Sequence, residues 1–101
     1  MAYKIGLCEG RHDIPDVADY FFGEIPADKV TDFRWMEETA FGKLEGLYES
    51  GELGDSAIDI YVTGLTPALI AALNACRRAS INPVLYHYDR EARAYIPQIV
   101  R

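Results

Sequence analysis

The chain has 101 residues, half of them apolar and 12% aromatic, a balance that predicts one packed domain and excludes a disordered chain. Its formal net charge of −6 speaks against a general duplex-binding protein, because neutralisation of phosphates by lysine and arginine supplies most non-specific affinity for nucleic acid. No long apolar run and no charged-then-apolar leader is present, so a soluble, cytoplasmic protein with no membrane partner is expected.

Tyr3 to Cys8 alternates as a strand and stops at Glu9-Gly10. Residues 11 to 31 contain Pro15, Gly23 and Pro26 and read as loop, with a short turn of helix or strand near Val17 to Phe22. From Asp32, an N-cap, apolar Phe33, Met36, Ala40, Leu44, Leu47 and Tyr48 recur at helical spacing until Gly51. That helix holds Gly42 and Gly46 on one face, where either another backbone approaching closely or simple tolerance on a solvated face would account for both.

After a linker, residues 57 to 63 form a second strand, and Thr66-Pro67 opens a second helix to residue 79, with Thr66 as hydroxyl cap and proline at the first helical position. This helix is apolar nearly all round and is expected to be the most buried element. Asn82-Pro83 leads into a third strand, Val84 to Tyr88, and Asp89 to Ala94 connects as a hairpin to Tyr95 to Val100, where Pro97 excludes a helix. Strands separated by helices predict an α/β fold, a small Rossmann-like domain with a mainly parallel sheet and a C-terminal β-hairpin. Asp59, Tyr61 and Thr63 share one face of the second strand, so that face is expected to be partly covered, or covered by a second subunit in a homodimer.

In such a sheet, ligands bind outside the carboxyl ends of the strands, where helix N-termini and loop amides converge. The first strand ends in CEGRHD, the second in TGLTP and the third in YHYDRE. This brings Gly10, Arg11, His12, Thr63, Gly64, Thr66, His87 and Arg90 to one edge. Residues 9 to 59 carry fourteen acids against four bases, whereas residues 60 to 101 carry two acids against five arginines, whose planar forks suit phosphate. Gly64 permits close backbone approach, and the turn suits a phosphate or phosphodiester without matching a Walker loop or a dinucleotide fingerprint. Cys8 and Cys76 have no metal-ligand spacing and read as reduced thiols; neither metal nor cofactor is expected.

VTGLTPALIAALNAC, LYHYDREARAYIPQ and GRHD together resemble CARF domains, the small Rossmann-like modules that bind cyclic oligoadenylates in CRISPR defence, and most of all their single-domain relatives, the ring nucleases. The resemblance implies a homodimer with a two-fold pocket. In it Thr63, Gly64 and Thr66 hold ligand phosphates, and Arg11, His12, His87 and Arg90 position a ribose 2′-hydroxyl or stabilise charge in a metal-independent cleavage. KIGLCEGRHD also resembles the first motif of Toprim domains, and YHYDRE their acidic second motif, which implies magnesium on Glu9 and Asp89, although His87 stands where that motif has an aspartate. A third reading, from the acidic balance and seven tyrosines, is a non-catalytic interaction protein, for instance an inhibitor carried by a mobile element.

Overall fold

The structure is a computed structural model that describes residues 2–10, 14, 17, 19–54 and 57–100. Strands β1 (Tyr3–Cys8), β2 (Asp19–Phe22), β3 (Ala57–Tyr61), β4 (Asn82–Asp89) and β5 (Ala94–Ile99) form one sheet in the order β2-β1-β3-β4-β5. All neighbours are parallel except β4 and β5, which form the expected antiparallel hairpin. Helix α1 (Phe33–Glu49) connects β2 to β3, and α2 (Thr66–Arg78) connects β3 to β4. The fold is therefore α/β with a mostly parallel sheet, and the ambiguous segment near Val17 to Phe22 resolves as an edge strand.

Connection direction decides the layering. From β2 to β3 and from β3 to β4 the chain steps the same way across the sheet, so right-handed crossovers put both helices on one face, where they pack on each other. From β1 to β2 it steps back. Buried Ile14 lies beside Gly6 on the opposite face.

The core sits between helices and sheet. Ile5, Ile60 and Leu85 stand in register across three strands, all 5% exposed or less, beneath Met36, Ala40 and Leu44 of α1 and Ala68, Ala72 and Ala75 of α2. Alanines on α2 let it approach α1 closely, and the pair is tied at one end by Arg78. Its guanidinium bonds Glu37 and Glu38 at 2.9 and 3.0 Å and lies over the Phe41 ring. Two sequence expectations are corrected here. Phe33 and Tyr48, assigned to the apolar stripe of α1, are 60% and 71% exposed. Helix α2 is not buried all round, since Ile70 is 54% exposed: with both helices on one face, each keeps a side toward solvent. Among the described residues, nothing lies within 4 Å of where a Cβ would stand on Gly42 or Gly46, which fits tolerance on a solvated face rather than close backbone approach.

Local chemistry sets the helix ends. Asp32 caps α1 as expected, its Oδ1 accepting from the Trp35 amide at 3.0 Å. At the C-terminus Gly51 takes φ +81°, while Glu52 and Gly51 amides donate to Leu47 and Tyr48 carbonyls, the Schellman pattern. Helix α2 ends the same way, but with Ser80 in the left-handed position, φ 57°. Cys8 and Cys76 are both buried, and burial pushes the Cys76 thiol up to about 12. Among the described residues, no helix is long and apolar enough to cross a membrane.

Candidate functional site at the carboxyl edge

Because β1, β3 and β4 run parallel, residues 8–10, 63–66 and 87–90 all lie toward the carboxyl edge of the sheet. From β1 the chain steps to β2, and from β3, through α2, it steps the opposite way to β4. Strand order thus reverses between β1 and β3, the topological switch point at which α/β sheets open a crevice.

A side chain marks this point. Thr63 is 4% exposed, and its Oγ1 accepts from the Cys8 amide at 3.4 Å and donates to the Cys8 carbonyl at 3.1 Å. The hydroxyl expected to hold a ligand phosphate is instead committed to the backbone, where it fastens the ends of β1 and β3 side by side. Gly10, φ +83°, and Gly64, φ +90°, then turn the two chains away above the bridge, in backbone conformations that side chains rarely adopt. Arg11 and His12 follow Gly10 directly and lie outside the described residues.

Beside the bridge is a cleft of about 470 Å³ lined by Cys8, Glu9, Gly10, Glu24 and Ile25. The Glu9 amide donates to the Phe22 carbonyl at 3.0 Å, which extends the pairing of β1 and β2 into the cleft floor. Glu24 and Ile25 follow β2 in irregular chain, and no sequence pattern there marked them as part of a site.

The start of α2 differs from expectation. Leu65, extended at φ −76° and ψ 135°, is the N-cap, and no side chain bonds there. Its carbonyl accepts from both Ala68 and Leu69, so helical bonding begins one residue before Thr66, and Pro67 brings no amide. The free donors of this terminus are therefore fewer than the sequence suggested. Thr66 itself lines an apolar groove of about 610 Å³ between the first turns of α1 and α2, with Phe33, Pro67 and Ile70.

His87 and Arg90 form a second group, on β4 and in the hairpin turn. His87 Nε2 lies 2.7 Å from Gln98 Oε1; with the amide oxygen accepting, Nε2 carries the proton and Nδ1 is left as an acceptor. Strand β3 intervenes, so β1 and β4 stand two strand spacings apart, about 10 Å. Glu9 and Asp89 are separated by the same strand, and Asp89 Oδ1 accepts from the Glu91 amide within the turn. Among the described residues, no group of three or more histidine, cysteine, aspartate or glutamate side chains is placed to hold a metal ion. Arg77 and Arg78 end α2 at the amino edge, away from this site.

No protein-family model matches the chain, and neither the curated proteins nor the solved structures contain a match to it.

Proposed function

We propose that the chain binds a phosphate-bearing ligand, a linear or cyclic oligonucleotide, at the carboxyl edge between β1 and β3. The observation that carries this reading is the switch point itself. Thr63 and Cys8 close its floor, two left-handed glycines turn the chain beside it, and Arg11 and His12 follow Gly10 directly in sequence. A ligand that also reaches His87 and Arg90 must extend over β3, about 10 Å, which suits an oligonucleotide better than a mononucleotide.

The finer reading is metal-independent cleavage. The ribose 2′-oxygen attacks the neighbouring phosphorus, the bond to the 5′-oxygen breaks, and the proton lost by the attacking hydroxyl is balanced by one gained at the leaving oxygen, giving a 2′,3′-cyclic phosphate. Nδ1 of His87 is disposed to take the first proton, while arginines stabilise charge on the phosphoryl oxygens.

Thermal shift with a panel of linear and cyclic oligoadenylates, with and without EDTA, tests the binding step. A stabilised transition is expected with at least one oligonucleotide, and Arg11→Ala is expected to weaken that binding about tenfold, the loss of one charge-assisted phosphate contact. A chain whose unfolding no oligonucleotide shifts, even at millimolar concentration, refutes the reading. Product analysis in EDTA then separates turnover from binding alone.

A further inference from the structure

Parallel sheets are as a rule covered on both faces. Among the described residues, this one carries its helices on one face only, and the other bears tyrosines. Register places Gly6, Tyr61, Tyr86 and Pro97 in one row across it. Tyr61 and Tyr86 stack with ring centroids 4.9 Å apart, and Tyr95 stands edge-on to Tyr61 at 5.0 Å and to Tyr88 at 5.3 Å. From the other side, the Tyr20 ring lies against the bare Cα of Gly6. The rings of β3, β4 and β5 thus use their faces and edges on one another. Nucleobases need open ring faces to stack on, whereas an apolar body with wet tips suits burial against protein.

Charge narrows the protein to one. The strands of this face carry two charged side chains, Lys4 and Asp59, which are register partners on β1 and β3. The strand surface itself is therefore neutral in sum on a chain of net charge −6. An acidic chain meets its own copy without repulsion through such a patch. A two-fold that lays β1 of one copy on β3 of the other also sets each Lys4 against the partner's Asp59.

The free edge of β5 offers no alternative. Tyr86 accepts through its carbonyl from Val62 on the β3 side, so its register partner Pro97 turns its own backbone outward, where it has no amide to give. Strand spacing and rise give a face roughly 20 Å by 20 Å, on the order of 500 Å² accessible per copy. The total of about 1,000 Å² is near the lower bound for a specific interface, the size at which weak and transient associations are found.

We infer that the tyrosine face is the surface through which two copies of this chain associate. The inference stands independently of the ligand reading, since it uses no residue of the carboxyl edge. Sedimentation of the full chain from about 1 to about 300 µM, the range such an area sets, tests it. A reversible monomer–dimer equilibrium is expected. Tyr88→Ser, at a side chain 53% exposed and so not needed for folding, is expected to weaken it about tenfold or more. Lys4→Glu and Asp59→Lys are each expected to weaken it, and the two together to restore it, while Phe33→Ser in the groove between the helices leaves it unchanged. A monomer throughout the range overturns the inference, as does a dimer that Phe33→Ser weakens and Tyr88→Ser does not.

Discussion

Gly6 is the position at which one methyl group tests the architecture of the open face. A Cβ there would stand 2.4 and 2.5 Å from Cε1 and Cδ1 of Tyr20, more than an ångström inside the usual carbon contact of about 3.5–4.0 Å. Ile14 Cδ1, at 3.4 Å, closes the other side. The Tyr20 ring must therefore swing off β1 in Gly6→Ala. Overpacking of this kind costs about 1–3 kcal/mol, and replacing glycine within a strand returns about 0.5–1 kcal/mol. The expected net loss is about 1–2 kcal/mol, or roughly 4–16 °C in the midpoint of a domain this size. Urea denaturation of Gly6→Ala, Tyr20→Ala and the double variant measures it. In the Tyr20→Ala background the alanine meets no ring, so its cost is expected to fall to zero or change sign. An equal cost of Gly6→Ala with and without the tyrosine would refute the reasoning.

Two further predictions concern single residues. Ser80 holds a left-handed conformation at φ 57°, so Ser80→Gly is expected to raise stability by about 0.5–1 kcal/mol, read as a higher urea midpoint with unchanged slope. At Asp19, burial opposes ionisation, but hydrogen bonds from Lys43 and the Tyr20 amide outweigh it and hold the carboxyl below its ordinary 3.8. A depressed carboxyl contributes stability above its unfolded pKa and loses it as pH falls through the folded one. Asp19→Asn is therefore expected to lower the urea midpoint at pH 7 and to converge on the parent chain as pH falls below about 4. A constant difference across that range would show that the carboxylate's charge plays no part.

What the sequence made legible was local. Asp32 announces a cap because its oxygen needs only an amide three residues on, and apolar spacing from Met36 to Leu47 names one helix face without reference to the rest of the chain. Periodicity gives the centre of a buried stripe but not its width, which depends on how many neighbours the helix has; hence the error at Phe33 and Tyr48. β2 went unassigned as a strand because four residues carry too little pattern to outweigh the prolines around them. The carboxyl edge was readable from alternation of strands and helices alone. Its chemistry was only partly so: no sequence signal gives the partners of Thr63 and His87, 55 and 11 residues distant. The tyrosine layer was hidden for the same reason. Tyr20, Tyr61, Tyr86 and Tyr95 come from four strands, and only register places them on one face.

The carboxyl-edge crevice and the open face have one origin. The chain steps from β1 outward to β2 through ten residues, 9 to 18, before reversing to β3 and β4. A parallel crossover with its own helix needs a dozen or more residues, so this one is too short to supply a covering layer. The reversal opens the switch point between β1 and β3; among the described residues, no helix covers the tyrosine face of β3, β4 and β5. Tyrosine answers the second consequence, because its ring removes apolar strand surface from water while its hydroxyl tolerates exposure in the free chain. Thr63 answers the first, by closing with one hydroxyl the gap that diverging loops would otherwise leave between two strand ends. On this reasoning a full helix engineered into residues 9 to 18 would cover the tyrosines and abolish self-association, yet leave the Thr63 bridge and the crevice above it in place.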